Sequence, residues 1–571
     1  MNTRLQAINL DDFTGGLNLW RNQFNIGPNQ SPDMLNMEID PRGGFYTSKG
    51  WSRWNADDAL ATVADWAPRN TFVHTLSTGA YVVYVANDSL IEAAPSTGVF
   101  ATLAITGPTN IVPTASPHLA DFAAWGDYLY IACGNATATY LRDGTGTPTA
   151  VADAATNYND DYTTPDAIGA GAMPRCEFIE THSGYVFAAH IKDQPDPVNP
   201  TTPAAQPNRI RWSHPSQPEN WAALDYIDID AGGGKITGLR SFQDHLLIFK
   251  EDSVWALYGY DSDSWQLVRI SATSGAPNTV AITASERAVY FYSGASLGGI
   301  YAYSGGEPPV YIGQSLRTVT DAITEDDDVW LGWVGKRLWC SLPWIEDSWV
   351  SGRSTVFVFD PEVGNGAWIM HRPALGNVSC IVEGSDLQVG NALVAVNGDS
   401  GAAALVEVEA RDAANDVILE NLTASSFDCY YRTAWQHAGW PERRKSWRRP
   451  RFILERVSET VGIDLTTYFD YNEGSEQRSH TIIVNSDGTA FWRATGALED
   501  GGFDWGDGTL WGASGAQGSV IERGVQATAT LSGLGVNRAI QLRFSTNPNY
   551  LGKAWGVNAM TLKFLLRRFT T

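Results

Sequence analysis

Residues 244–258 read DHLLIFKEDSVWALY, two apolar runs separated by a short polar turn. Runs of four to six residues that are rich in aromatic and β-branched side chains and bounded by turn residues are typical of β-strands. The first run, 246–249 (LLIF), follows a turn at Asp244, and the second, 253–258 (SVWALY), begins a few residues later. This stretch predicts two consecutive strands of an antiparallel sheet.

The same turn-then-strand pattern recurs from about residue 70 to about residue 410. Seven runs show it: 81–85 (YVVYV), 128–131 (YLYI), 185–187 (YVF), 246–249 (LLIF), 289–292 (VYFY), 337–340 (RLWC) and 393–396 (LVAV). Their spacing of roughly 40 to 60 residues is that of a four-stranded propeller blade with insertions. We therefore predict an all-β fold with a β-propeller of about six to eight blades over residues 70–424. The Gly-His and Trp-Asp spacing of WD40 repeats is missing.

Past residue 425 the strands alternate polar and apolar residues, and no helical period accompanies them. The clearest are 451–457 (RFILERV), 463–470 (IDLTTYFD), 539–544 (AIQLRF) and 559–566 (AMTLKFLL). Alternating strands without helices predict a β-sandwich over residues 425–571. Near its start lies a basic cluster: Arg443, Arg444, Lys445, Arg448, Arg449 and Arg451.

Residues 1–69 are predicted to form an extended N-terminal arm with entry strands. Pro28 and Pro32 fix φ and remove backbone donors, and the pairs 15–16 and 43–44 (Gly-Gly) permit tight turns. An arm of this kind either completes the closing sheet of the propeller or reaches along a neighbouring subunit. We expect deletion of residues 1–40 to impair assembly more than folding. The predicted subunit-interface residues of the arm are Asp12, Phe13, Leu17, Leu19 and Trp20.

The charge of the chain limits its partners. The net charge of −24 argues against wrapping nucleic acid, because phosphate neutralisation needs a cationic surface. In such an acidic chain we interpret the basic cluster at 443–451 as a patch that meets acidic groups of a neighbouring subunit. Binding of phosphates or bases, with Trp440 and Trp447 stacking, is the alternative.

Catalytic and metal-binding motifs are scarce. The sequence contains no HExxH, GxSxG or P-loop motif, and its nine histidines are scattered. The five cysteines show no CxxC spacing and are predicted to be buried free thiols. Residues 503–512 (FDWGDGTLWG) have acid spacing that suits Ca²⁺, but a Gly/Asp hairpin is the preferred interpretation. We predict no cofactor, no metal site and no catalytic residue. No apolar run is long enough to span a membrane, and no secretory signal is recognised.

Several segments together resemble the β-propeller proteins of tailed-bacteriophage tails, such as nozzle, hub and minor tail proteins. The segments are 15–18 (GGLN), 29–37 (NQSPDMLNM), 42–51 (RGGFYTSKGW), 209–213 (RIRWS), 218–221 (PENW), 236–255 and 556–562 (GVNAMTL). Their order is a stronger signal than any one of them. The resemblance leaves open whether the protein is a short-tailed nozzle or a long-tailed tip component.

The resemblance implies a structural protein of the virion tail, synthesised in the host cytoplasm. It implies a homo-oligomeric ring of three or six copies that contacts other phage tail proteins and lets DNA pass without specific binding. One alternative is a tail-tip propeller that binds a host cell-surface glycan, with Trp51 and Trp54 as candidate contacts. Another is a tail glycosidase, which needs two suitably spaced carboxylates.

Overall fold

A computed structural model gives the fold of most of the chain. It describes residues 5–54, 70–86, 91–95, 98–103, 120–132, 140–145, 149–150, 173–195, 203–218, 220–222, 225–230, 232, 234–294, 298–324, 329–343, 355–372, 377–381, 393–397, 403–411, 415–416, 425–455, 457–485, 490–494, 526–530 and 533–567. The composition of residues 143–174 and 193–208 predicts exposed loops, and residues 146–148, 151–172 and 196–202 of these, with all of the candidate Ca²⁺ loop at 503–512, lie outside the described residues. Residues 193–195 and 203–208 form strands, so the loop prediction is wrong there.

Seven short strands occupy the N-terminal segment. They are β1 (Gln6–Leu10), β2 (Gly16–Leu17), β3 (Gln30–Ser31), β4 (Asp33–Leu35), β5 (Met37–Ile39), β6 (Phe45–Thr47) and β7 (Gly50–Arg53). Within this segment, β2 pairs with β3 in parallel and β5 pairs with β6 in antiparallel orientation. The remaining pairings of these strands are with distant parts of the chain.

Within the described residues, seven consecutive four-stranded antiparallel sheets follow. The first three comprise β8 (Asn70–Thr75), β9 (Tyr81–Ala86), β10 (Ile91–Pro95) and β11 (Ala101–Thr102); β12 (Asp121–Trp125), β13 (Tyr128–Ala132), β14 (Tyr140–Asp143) and β15 (Thr149–Ala150); and β16 (Cys176–His182), β17 (Tyr185–Pro195), β18 (Pro203–Trp212) and β19 (Tyr226–Asp228).

The next three sheets follow the same order. They comprise β20 (Ile236–Phe242), β21 (His245–Lys250), β22 (Val254–Tyr258) and β23 (Gln266–Ser271); β24 (Ile282–Ala284), β25 (Val289–Ser293), β26 (Gly299–Tyr303) and β27 (Val310–Tyr311); and β28 (Trp330–Val334), β29 (Arg337–Leu342), β30 (Thr355–Asp360) and β31 (Ala367–His371). Short 3-10 turns at Thr279–Ala281, Gly313–Leu316 and Pro548–Tyr550 and one helix, α1 (Arg317–Thr320), are the helical elements of the described chain.

The seventh sheet is built from both ends of the propeller segment. Three of its strands are consecutive, β32 (Asn377–Ile381), β33 (Leu393–Asn397) and β34 (Ala403–Arg411), and its outer strand is β7 from the N-terminal arm. In the pairing of β7 with β34, Arg53 lies opposite Val406 and Ser52 opposite Glu407. Trp51 is 4% exposed, and its ring lies 6.2 Å from that of Trp339 in the sixth sheet. The arm therefore completes the closing sheet of the propeller.

The sheets form a closed ring. The first strand of each sheet contacts the first strand of the next, from β8 through β12, β16, β20, β24 and β28 to β32, and β32 contacts β8. This arrangement is a seven-bladed β-propeller with the first strands at its centre. Each of the seven predicted runs is the second strand of one blade, and the predicted propeller fold is confirmed.

A β-sandwich follows the propeller, after a short hairpin of β35 (Asn415–Asp416) and β36 (Ser425–Ser426). Its strands are β37 (Tyr430–Arg432), β38 (Lys445–Glu455), β39 (Val461–Phe469), β40 (Asn472–Val484), β41 (Ala490–Ala494), β42 (Gln526–Thr530), β43 (Gly533–Asn537), β44 (Ile540–Thr546) and β45 (Gly556–Leu566). In the described chain, one sheet has the order β42-β38-β45-β6-β5, with β1 on β45 and β43 on β38, and the other has the order β4-β37-β44-β39-β40-β41. Phe452 of the first sheet packs edge-on against Phe544 of the second, with ring centroids 5.6 Å apart.

The arm is therefore part of the folded domains. Four of its strands belong to the sandwich sheets and one to the propeller, and Phe13, Leu17 and Met34 are buried in the same core as Phe544. A deletion of residues 1–40 removes this part of the core and the partners of β45 and β37. This burial argues against the expectation that such a deletion impairs assembly more than folding, because the arm is part of the folded core.

The arm also fastens the sandwich to the sixth blade. Glu38 of β5 is buried and accepts a 2.7 Å hydrogen bond from Nη1 of Arg337 in β29, and its other oxygen lies 3.1 Å from Nε2 of His371 in β31. Although burial disfavours the ionised carboxyl, Arg337 and His371 together lower the pKa of Glu38. The backbone N–H of Asn36 donates to the carbonyl of Met370 at 2.8 Å. These contacts give the two domains one continuous core.

Candidate interaction site

The predicted interface residues of the arm lie in two environments. Phe13 and Leu17 are buried in the core of their own chain, so their prediction as contacts to a neighbouring subunit is corrected. Leu19 is half-buried and packs against the same core, and its N–H donates to the carbonyl of Ser315. Trp20 is 43% exposed, with the Arg317 guanidinium 6.0 Å from its ring.

Asp12 is exposed, but its carboxylate organises the local turn. It accepts hydrogen bonds from the N–H of Thr14 at 2.9 Å and from the hydroxyl of Thr14 at 2.6 Å. These bonds lower the pKa of Asp12. The residue is therefore a turn-forming group at the surface, and within the arm only Asp12 and Trp20 among the predicted interface residues are well exposed.

The basic cluster divides into buried and exposed members along β38. Lys445 is fully buried, and its ammonium donates to three backbone carbonyls, those of Trp440, Arg443 and Arg538, at 2.6 to 2.9 Å. Burial lowers the pKa of Lys445 to about 8. The prediction of Lys445 as an interface residue is corrected, because its charge is used inside the domain. Arg443 is half-buried and donates to the carbonyl of Arg567 at 3.2 Å.

Arg444, Arg448 and Arg451 remain exposed. Arg448 donates to the hydroxyl of Ser446 at 3.2 Å, and a register shift between Arg448 and Arg451 keeps both outside the core. Arg449 belongs to β38, but its side chain lies outside the described part of the structure. Within the described residues, none of the three exposed arginines forms an ion pair with a carboxylate.

Basic residues also face this row from the neighbouring strand. In the β38–β45 pairing, Arg448 lies opposite Lys563, and the N–H of Arg567 donates to the carbonyl of Arg444 at 2.9 Å. Like charges directly opposite each other destabilise a sheet. Within the described residues, the outer surface of the sandwich thus carries a row of cations that form no ion pair, on a chain of net charge −24. We call Arg444, Arg448, Arg451, Lys563 and Arg567 the basic face.

The centre of the propeller holds a cavity of about 160 Å³ lined by residues of all seven first strands or of the turns that precede them. Asp121 accepts a 2.9 Å hydrogen bond from the N–H of Ile179, and burial raises the pKa of its carboxyl to about 7. Nη1 of Arg240 lies 4.0 Å from a Glu180 oxygen, and Nη2 donates to the carbonyl of Ile282. A cavity of this volume does not admit a nucleic-acid duplex.

A second, more open cavity of about 410 Å³ lies at the hairpins that join the first two strands of blades two to four. In it Nδ1 of His182 lies 2.8 Å from the hydroxyl of Ser241, and Nε2 lies 3.1 Å from the hydroxyl of Ser183. Burial lowers the pKa of His182. A serine hydroxyl beside a histidine ring is one part of a nucleophilic catalytic site. Here, however, the hydroxyls of Ser241 and Ser183 occupy both ring nitrogens of His182, which leaves neither nitrogen for an orienting carboxylate. The hydrogen bond between His182 and Ser241 therefore joins blades three and four.

The remaining predicted features are placed as follows. Trp51 is buried and Trp54 is half-buried, 6.1 Å from the ring of Phe100, so neither offers a flat exposed platform for a sugar. Cys176, Cys340 and Cys429 are buried free thiols. In the part of the chain that the structure describes, no cluster of three metal-ligating side chains occurs, and no helix is long and apolar enough to span a membrane.

Comparison with known proteins adds distant fold similarity. No protein-family model and no curated protein matches the chain. A solved streptogramin B lyase is 11% identical over 63% of this chain and 98% of its own, with a TM-score of 0.37. Virginiamycin B lyase from Staphylococcus aureus gives 11% identity over 62% and 97%, with a TM-score of 0.36, and Chaetomium thermophilum Raptor gives 10% over 64% and 29%, with a TM-score of 0.35. The fold assignment therefore depends on the sheet topology described above: the chain is an all-β protein built from a seven-bladed propeller and a β-sandwich.

Proposed function

We propose that this protein is a structural subunit of a bacteriophage tail and assembles with further copies into a ring around the path of the DNA. The observation that carries the proposal is the basic face, in which exposed Arg444, Arg448 and Arg451 stand on an otherwise acidic chain without carboxylate partners in the described structure. A surface of this kind is complementary to an acidic one. The resemblance of the ordered N-terminal, central and C-terminal segments to tail propeller proteins supplies the biological setting.

The way in which the domains are joined supports a mechanical role. The N-terminal arm contributes strands to the propeller and to both sandwich sheets, and Glu38 links the sandwich to the sixth blade through Arg337. A force applied to either domain is therefore transmitted through paired strands and a shared core. A ring subunit requires this stiffness, since its interfaces keep their angles only when its domains do not rotate.

The acidic balance supports passage of DNA without binding. Carboxylates repel phosphates over about a Debye length, roughly 8–10 Å at physiological ionic strength. Since the cavity inside one propeller is too small for a duplex, the path lies between copies and not through the blades. The proposal includes no catalytic step and no cofactor.

The location of the protein in the virion tests the proposal. Purified particles of a phage whose genome encodes this protein are labelled with antibody against it and viewed by electron microscopy. The label is expected to mark the tail. Labelling of the capsid, or particles that lack the protein altogether, would contradict the proposal. Release of reducing ends from host envelope polysaccharide by the purified protein would favour a glycosidase instead.

A further inference from the structure

A hairpin at the rim of the fourth blade gathers exposed acidic side chains. It joins β22 to β23, and Asp261 and Asp263 both point to solvent within it. Together with burial, Asp261, Asp225 and Asp263 raise the pKa of Tyr185 in the adjacent blade. All three carboxylates therefore act on one region between blades three and four. We call Asp225, Tyr260, Asp261 and Asp263 the acidic rim.

The acidic rim also presents an aromatic side chain. Tyr260 is 80% exposed, more than any other large hydrophobic residue of the described chain. Tyrosine is enriched among the residues that dominate binding energy at protein interfaces. The exposed Tyr260 ring and the two exposed carboxylates of Asp261 and Asp263 thus place an aromatic contact and negative charge on one surface.

The basic face has a matching composition. Trp440 is 48% exposed beside it, and the Arg443 guanidinium lies 5.5 Å from its ring. Each surface thus combines several charges of one sign with one exposed aromatic ring. Opposite charges at the two surfaces favour docking of one on the other, since complementary potentials steer association and select the partner.

The two surfaces belong to different parts of the fold. The sandwich that carries the basic face is fastened to the sixth blade through the Glu38–Arg337 pair, whereas the acidic rim belongs to blades three and four. Contact between two different patches is heterologous, and repetition of such a contact yields a closed ring or an open filament.

We propose that the basic face of one copy docks on the acidic rim of a second copy, so that the chain assembles head to tail. This inference rests on the proposed function and specifies the two surfaces that form its ring contact. Both surfaces are exposed, so the interaction is expected to weaken as salt increases. Binding of nucleic acid to the basic face is the competing outcome of the test.

Charge reversal on the full-length protein tests the pairing. A base-reversed variant carries Arg444→Glu, Arg448→Glu and Arg451→Glu, which changes the basic face from five positive charges to a net charge of −1. An acid-reversed variant carries Asp261→Lys and Asp263→Lys, which changes the acidic rim from three negative charges to a net charge of +1. Self-association is measured by sedimentation velocity in low and high salt, for each variant alone and for their equimolar mixture. Glu286→Lys with Glu362→Lys is the matched control, because both residues are exposed and the change in net charge equals that of the acid-reversed variant.

Wild type is expected to associate in low salt, and each reversed variant alone is expected to associate at least about tenfold more weakly. The mixture is expected to regain association, because every contact between unlike variants then joins opposite charges. The control is expected to behave as wild type. Asp261 also accepts a 2.9 Å hydrogen bond from the N–H of Ser264, so Asp261→Asn with Asp263→Asn, which retains an acceptor, is expected to show the same direction if the lysine variant folds poorly.

Three results would overturn the inference. The first is association that neither reversal weakens, the second is weakening without recovery in the mixture, and the third is a monomeric wild type that binds a double-stranded oligonucleotide through the basic face. The location of the protein in the tail, as antibody labelling reports it, does not depend on any of these results. The first two results overturn the docking model alone, whereas the third would also contradict the proposed ring.

Discussion

The burial of Phe13 leads to a quantitative prediction about the arm. Its ring is 1% exposed and meets Phe45 edge-on at 5.0 Å and Tyr431 at 5.6 Å, while Phe45 stacks on Tyr431 at 4.1 Å. Replacement of a buried phenylalanine by alanine costs about 3–5 kcal/mol, through lost transfer free energy and the cavity that remains. For a cooperative unit of the size of this sandwich, that loss lowers Tm by roughly 6–20 °C.

Differential scanning calorimetry of Phe13→Ala measures this loss directly. Phe24→Ala is the matched control, because Phe24 lies on the same arm, contacts Tyr471 at 5.2 Å and is 45% exposed. Its expected cost is below about 1 kcal/mol, as for most exposed positions. Phe13→Leu, which nearly conserves volume, is expected to cost less than about 1.5 kcal/mol.

Protein concentration separates packing within one chain from packing between chains. An intrachain core predicts that the loss caused by Phe13→Ala is the same at all concentrations, whereas an intersubunit contact makes Tm depend on concentration. The reasoning is refuted if Phe13→Ala and Phe24→Ala have equal effects, or if the effect of Phe13→Ala disappears on dilution.

Three further predictions concern buried charges. Glu38→Gln is expected to cost about 3 kcal/mol at pH 7. Because the folded-state pKa of Glu38 is lowered, the stabilisation that the carboxylate provides is present above the ordinary value of 4.5 and is lost as pH falls through the folded pKa. The free energies of unfolding of wild type and Glu38→Gln, measured in urea, should therefore converge in acid, and a constant difference would contradict this. Asp121 has its pKa raised from 3.8 to about 7, so its folded form retains a proton that the unfolded form releases, and wild-type stability is expected to fall as pH rises from 4 to 7. Asp121→Asn should flatten that fall in Tm, and an unchanged pH profile would refute the assignment. Lys445→Met leaves the backbone carbonyls of Trp440, Arg443 and Arg538 without the ammonium that donates to them, and it is expected to destabilise the protein by about 1–3 kcal/mol. The control Arg448→Met, at an exposed site, should change the free energy of unfolding by less than about 0.5 kcal/mol.

Local sequence determined the repeating strands of the propeller. Residues 246–249 of β21 are continuously apolar because they are buried between neighbouring blades, and the turn before β21 is polar because it is exposed. These properties depend on neighbouring residues only, so the pattern identified the second strand of every blade. The alternating strands of the sandwich and the acidic net charge are likewise properties of the sequence itself. The number of blades required the structure, because the outer strands are short and irregular.

Tertiary structure alone decided the positions of the arm and of the basic cluster. Strands of three to five residues such as β1 and β4 have no readable period, and their partners in β45 and β37 lie about 400 or more residues away in sequence. In the basic cluster, two adjacent cations lie in different environments: Lys445 is buried and donates to three backbone carbonyls, whereas Arg444 is exposed. A one-residue shift of register reverses which face of a strand a side chain occupies, and β38 has such irregularities in its pairings. Sequence therefore determined which segments become strands and where charge accumulates, whereas long-range pairing decided which of those charges reach the surface.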